Sequence, residues 1–201
     1  PNRRRYVSKR IFLTAVVLCV LFVVSSNCYA IRLLTQEDAL KKVFGPDAQV
    51  VTETKELADP TLSKIKERLG GSIVYYQKGS KSKEVEEKNN IDFYFASKNG
   101  QKTGVAIFDE EPGKWGPVVF IIALDLQGTV TRVEVLSYEE KRGQPIARHS
   151  FMSQFEGKAS KNPIEVYKDI NGVSGATISS KCATFAVRKA IVLYEELYLN
   201  K

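Results

Sequence analysis

Apolar positions recur along this chain with three different periods, and the changes of period divide it into segments. "TQEDALKKVFG" opens on Thr35 with an acid three residues on, spaces its apolar residues helically and closes on Gly45-Pro46. That pattern predicts a short amphipathic helix. "DPTLSKIKERLGG" predicts a second one, with Asp59 as cap, Pro60 in the first turn and Gly70 at the end. "AQVVTETKEL" and "SIVYYQK" read as strands, and the charged "GSKSKEVEEKNN", which lacks an apolar period, reads as a solvated loop.

Period-two segments follow. "IDFYFAS" and "TGVAIFDEE" flank Asn99-Gly100, a strong hairpin signal, and "PVVFIIALD" and "TVTRVEVLSYEE" flank a second turn at "LQG". Pro117–Asp125 is almost wholly apolar, as a central strand buried on both faces would be. Val130–Val135 alternates, which predicts a half-exposed strand. The period then returns to helical. "RHSFMSQFEGK" predicts a short helix with Phe151 and Phe155 four apart, and "NPIEVYKDINGV" a connector with a short strand. "ISSKCATFAVRKAIVLYEELYLNK" predicts a long amphipathic helix whose apolar stripe runs through Cys182, Phe185, Ala186, Ile191, Leu193, Tyr194 and Leu197. The expected class is α+β: a mostly antiparallel sheet with packed helices and a long C-terminal helix after an "SGAT" loop.

Charge separates the first thirty residues from the rest. They hold Arg3, Arg4, Arg5, Lys9 and Arg10 and no acid, whereas residues 31–201 hold 25 basic and 23 acidic residues. A body so nearly neutral lacks the basic stripe of a nucleic-acid binder. The N-terminal basic cluster precedes the apolar run Ile11–Val24, and "SSNCYA" ends in the small Ala30. This three-part pattern predicts a signal peptide or an uncleaved N-terminal membrane anchor over residues 1–30. Either one places the body in the periplasm, or on the outer face of a bacterial inner membrane. The body holds one Cys (Cys182) and one His (His149), too few ligands for zinc, haem or an iron–sulfur cluster. Redox chemistry here therefore calls for an organic cofactor. His149 has no identifiable partner in the sequence, and Cys182 reads as core.

The candidate chemistry sits in "NGVSGATISS". Gly175 and Ala176 allow close approach to a helix N-terminus, where free N–H groups and the helix dipole favour an anion. Thr177 places a hydroxyl at that point, able to bind a phosphate, to be esterified to one, or to act as a nucleophile. Plain N-capping by Ser174 or Thr177 is the competing reading. A phosphate-binding P-loop fails because Ala-Thr-Ile follows Gly175 in place of Lys-Ser/Thr. A hydrolase nucleophile elbow wants Gly-x-Ser-x-Gly, whereas "GVSGA" ends in Ala176, and this reading would need His149 as the base.

"SGAT" leading into the C-terminal helix, "GKWGPVVFIIALDLQGTVTRVEVLSYEEKRG" and "FMSQFEGK" together resemble the FMN-binding domain found in the extracytoplasmic flavin subunits of Rnf and Nqr electron-transport complexes. The likeness covers roughly residues 104–198. It implies a cofactor-binding set of Thr177, Ser174, Gly175, Ala176, Ile178, Ser179, Ser180, Glu140 and Gly143, with no catalytic or metal residues. FMN is the implied cofactor, joined by a phosphoester to Thr177. The implied partners are redox proteins at the membrane and a flavin transferase that moves FMN from FAD. Trp115 and Phe120 are candidates to stack on the flavin ring, with core packing as the alternative. The resemblance points to an electron-transfer protein more than to a stand-alone enzyme. Two other readings stay open, a periplasmic flavin reductase and a flavin-free sensor of the same fold. The chain departs from the family in two places. Lys141-Arg142 interrupt the turn from Glu140 to Gly143, which points to stand-alone members. Asn171 stands where the family usually has Asp, six residues before the modified Thr, and FMN held without a covalent bond is the corresponding alternative. The expected organisation is the leader 1–30, an N-terminal α/β part over 31–100 and an FMN-binding domain over 101–201.

Overall fold

The computed structural model describes residues 31–82, 85–139 and 144–200, with backbone alone at 144 and 145. The leader therefore lies outside the described residues. Six antiparallel strands form one sheet: β1 (Ile31–Arg32), β2 (Gln49–Glu56), β3 (Asn90–Lys98), β4 (Gln101–Pro112), β5 (Pro117–Leu124) and β6 (Val130–Tyr138). Their order is β1-β6-β5-β4-β3-β2. The helices are α1 (Gln36–Phe44), α2 (Thr61–Leu69), the single turn α3 (His149–Met152) and the long α4 (Thr177–Tyr194). The architecture is the α+β class expected, and the sheet runs through both halves of the chain, β1 to β3 coming from residues before 100.

Local chemistry accounts for most boundaries. Thr35 caps α1, its hydroxyl oxygen accepting from Asp38 N at 3.1 Å. Asn99 (φ 53°) and Gly100 (φ 77°) take the left-handed conformation that a two-residue hairpin requires. The Asp125 carboxylate closes the β5–β6 turn by accepting from Gln127 N and Thr129 N at 2.9 and 2.8 Å. Asp59 instead accepts the Ser63 hydroxyl at 2.8 Å and makes no backbone cap, because the N-cap position falls on Pro60.

The core lies mainly between the sheet and α4, built on fully buried Phe93, Phe120, Ile122, Leu124, Phe155 and Ile191. Burying side chains of this size contributes about 1.5–3 kcal/mol each. A smaller cluster on the other face packs Ala39 of α1 on Ala106, Ile121, Ala123 and Leu136. That helix explains one departure from the alternating pattern: most of β6 is buried, since both faces of the strand are covered.

Two further expectations are corrected. The apolar "SIVYYQK" is not a strand. Ile73 and Val74 do enter the core, but the backbone is held by side chains: Tyr75 N donates to Glu111 Oε2 at 2.8 Å, and Ile73 O accepts from Lys189 Nζ at 2.9 Å. And α4 is buried almost all round, with no wide polar face, because the sheet, α2 and the 72–77 segment enclose it. Its end turns into a wider π-helical stretch, Glu195–Leu199, where Glu195 and Glu196 both pair with Arg68 of α2.

Candidate functional site

The start of α4 is built without a side-chain cap. Ala176 occupies the N-cap position with φ −126° and ψ 34°, and Thr177 is the first helical residue. Of the two cap candidates, then, neither Ser174 nor Thr177 is used. The Thr177 hydroxyl has no hydrogen-bond partner among the described residues. The first helical bond runs from Ser180 N to Ala176 O at 2.9 Å, so the backbone N–H groups of Thr177 and Ile178 lie ahead of the ladder. A half-buried hydroxyl beside such donors, at the positive end of an 18-residue helix, is suited to an anionic group.

The loop in front of it is held from three sides. Ser180, fully buried, accepts from Val173 N and donates to Ala176 O, both at 3.0 Å. Its hydroxyl is thus committed to the loop. Gly175 has φ 77°, which a side chain would strain. Gln154 brackets the backbone of Asn171: its Oε1 accepts from Asn171 N at 2.8 Å and its Nε2 donates to Asn171 O at 3.3 Å. Replacing Ser180 by Ala leaves the Val173 N–H without its partner. The expected cost is about 1–3 kcal/mol in equilibrium urea unfolding, with Ser180→Thr less harmful because it keeps the hydroxyl.

Gly175, Ala176, Thr177, Ile178 and Ser179 line an open cavity of about 350 Å³, closed on the other side by Lys114 and Trp115. That volume is in the range of small-molecule sites. The 113–116 turn is fixed by Gly113 N donating to Gly116 O at 2.9 Å, and by the Ser80 hydroxyl donating to Gly113 O. Any Cβ on Gly116 would collide with the Glu139 side chain, so only glycine lets the turn pack there. Cys182 Sγ donates to Pro112 O at 3.1 Å, and Gln77 Nε2 donates to Ile178 O at 3.2 Å, tying α4 to both neighbouring segments.

The site residues expected from sequence divide as follows. Gly175, Ala176, Thr177, Ile178 and Ser179 come together at the cavity, Ser174 is exposed on the loop before it, and Ser180 braces the loop from below. Glu140 and Gly143, with Arg142, lie outside the described residues. Trp115 reaches the cavity, whereas Phe120 is fully buried in the core and cannot stack on anything bound there. Cys182 is core, and His149 is exposed at the start of α3. Sequence reasoning missed Lys114, Gln77 and Gln154. Lys114 beside Trp115 in the turn, and Gln154 within "FMSQFEGK", carried a sequence signal, whereas Gln77 carried none.

A second set of charges lies under the middle of α4. Lys189, almost fully buried, reaches Asp109 Oδ1 at 2.7 Å and also contacts Glu111 Oε1. Burial and the neighbouring Asp109 push the Glu111 carboxyl up to about 8, against the pull of Lys189. Burial works to lower the Lys189 ammonium, but the two carboxylates outweigh it and hold it above its usual value.

A loop of small residues thus brings the Thr177 hydroxyl and a helix N-terminus to a cavity walled on its other side by Trp115 and Lys114. Residues 113–192 match the model of the FMN-binding domain family. FMN is the cofactor the match indicates. Among curated relatives, a subunit of the ion-translocating oxidoreductase complex of Aliivibrio fischeri is 32% identical over 120 residues, 54% of this chain and 57% of that one. A subunit of the proton-translocating ferredoxin:NAD(+) oxidoreductase complex of Clostridium ljungdahlii is 29% identical over 108 residues, 50% of this chain and 58% of that one. The chain thus spans little more than half the length of these relatives. The crystal structure of Shewanella oneidensis NqrC aligns at 16% identity over 78% of this chain and 83% of that one, with a TM-score of 0.46.

The residues present fit FMN. The phosphate suits the Thr177 hydroxyl and the N–H groups beside it, Lys114 supplies a cation at the rim, and Trp115 offers an aromatic wall. No helix among the described residues is long and apolar enough to cross a membrane, and none of their His, Cys, Asp and Glu groups forms a metal site.

Proposed function

We propose that this protein is an extracytoplasmic electron carrier that holds FMN by a phosphoester to Thr177. The observation that carries this reading is the Thr177 hydroxyl, unpaired at the helix N-terminus and facing the cavity lined by Trp115 and Lys114. Attachment forms a bond from Thr177 Oγ to the FMN phosphorus of FAD, breaks the pyrophosphate bond and releases AMP together with the hydroxyl proton. A flavin transferase supplies that reaction. Bound FMN accepts and releases electrons singly or in pairs, and the chain's own residues position it and set its surroundings. A covalent tether keeps the cofactor from dilution outside the cytoplasm. It also leaves the open cavity available to redox partners at the membrane. Relatives named as subunits of ion- and proton-translocating oxidoreductase complexes support electron transfer over turnover of a small substrate.

The test is the intact mass of the chain secreted beside an active flavin transferase. A gain of one FMN is expected. A yellow protein with no gain would mean non-covalent FMN, with Asn171 as the reason, and Asn171→Asp should then restore the bond. A colourless protein with no gain would overturn the reading and leave a flavin-free module of the same fold.

A further inference from the structure

The end of the sheet that carries the cofactor site is also the end at which the chain enters the domain. Ile31 pairs with Tyr138, the last residue of β6, and Tyr138 pairs on its other side with Val118 at the start of β5. The 113–116 turn and the N-terminus of α4 project from this same end, since Cys182 of α4 bonds to Pro112. The opposite end is the 125–129 turn, which Tyr194 near the end of α4 meets through a bond to Leu126 O. Nine-residue β6 separates the two ends by about 25 Å at ~3.3 Å per residue.

Six residues, Ser25–Ala30, lie between the apolar run ending at Val24 and Ile31. Fully extended they reach about 20 Å at ~3.3–3.6 Å per residue. An apolar segment held in a bilayer therefore keeps the Ile31 end close to the lipid. The surface at that end suits such a place. Ile31, Tyr76 and Trp115 are 44%, 55% and 48% exposed, three of the seven large apolar side chains exposed among the described residues. Lys81 and Lys114 sit over the Trp115 ring at 4.7 and 5.4 Å, and Lys78 is exposed on the same loop as Tyr76. Glu139 is an acid beside this group, and the Tyr76 hydroxyl donates to Val85 O at 3.1 Å, next in sequence to Glu86 and Glu87. Aromatic rings with lysines around them are the side chains that settle at a headgroup boundary, where basic groups are drawn to anionic lipid.

We propose that the Thr177 end of the domain is its membrane-facing end, resting on anionic phospholipid through Ile31, Tyr76, Lys78, Lys81, Lys114 and Trp115. The proposal rests on the extracytoplasmic reading above and extends it. The cavity opens toward the bilayer surface, so a redox partner embedded in the membrane or lying on it meets the cofactor, and the far turn at 125–129 points away.

Trp115 is the chain's one tryptophan, which makes the test direct. The full chain, made without a flavin transferase, is reconstituted in vesicles of phosphatidylethanolamine and phosphatidylglycerol carrying lipid brominated near the headgroup. Trp115 emission should shift to the blue and be quenched. A Trp115→Phe/Gln127→Trp chain, reporting from the exposed far turn, should show neither. Lys78→Glu/Lys81→Glu/Lys114→Glu should weaken the quenching severalfold, as should high salt. Equal quenching at both ends, quenching at the far turn alone, or no quenching at Trp115 would overturn the proposal. So would a chain cleaved after Ala30 that leaves the vesicles. The readout needs no flavin, so its failure leaves the mass measurement of FMN unaffected.

Discussion

Lys189→Met is expected to destabilise the protein by about 3–5 kcal/mol, measured by equilibrium denaturation near neutral pH. The methionine fills similar space, so packing is nearly kept. What is lost is the cation facing two buried carboxyls. Lys189 Nζ contacts Asp109 and Glu111 and donates to Ile73 O, and Asp109 Oδ2 is already buried with no hydrogen-bond partner. Without the ammonium the buried Asp109 carboxylate faces no cation, and the 72–77 segment loses one of its anchors on α4 and β4. A Lys189→Met/Glu111→Gln double variant should recover part of the loss, because one ionisable group is gone from the pair while the Tyr75 N–H keeps an acceptor. Equal loss in single and double variants would show that packing, not charge, sets the cost.

The same cluster fixes the sign of a pH dependence. Glu111 titrates near 8 in the folded chain, well above the ordinary carboxyl value it takes when unfolded. The unfolded state therefore releases its proton first. The stabilisation linked to this group is complete below the unfolded value and is lost as pH rises through about 8. Lys189 is also raised, so its contribution has the same sign and fades at still higher pH. Denaturation midpoints should fall between pH 5 and 8.5, and Glu111→Gln should flatten that fall.

Thr177→Ala is expected to abolish covalent FMN altogether, read as loss of the mass gain and of flavin fluorescence on a denaturing gel. The effect should be local. Among the described residues Thr177 makes no side-chain hydrogen bond and caps nothing, so stability should change by less than about 1 kcal/mol. Thr177→Ser keeps the hydroxyl at the same point and should retain attachment. FMN on the alanine variant after denaturation would place the bond elsewhere, with Ser174 exposed on the loop and Ser179 in the cavity lining as the alternative hydroxyls. Such a separation of large functional and small structural effects would not arise if Thr177 were a helix cap, whose removal costs about 1 kcal/mol.

The sequence by itself determined whatever depends on neighbours along the chain. Thr35 and Asp38 close a cap three residues apart, Asn99-Gly100 turns a hairpin within two residues, and the apolar Pro117–Asp125 run marks the strand at the sheet's centre. The loop at Gly175 and the hydroxyl at Thr177 were legible for the same reason: a left-handed glycine and a helix start are properties of a few consecutive residues. Tertiary structure alone decided the rest. The apolar 72–78 segment is irregular because its backbone bonds go to Glu111 and Lys189, 36 and 116 residues away from their partners. Lys189 reads as one more surface cation until α4 is laid against β4, and β6 reads as half-exposed until α1 covers its second face. Trp115 and Phe120 are equal candidates in sequence. Strand alternation and the turn at 113–116 send one to the cavity and the other to the core. Periodicity states which face a residue shares, but only the packed elements determine what that face meets.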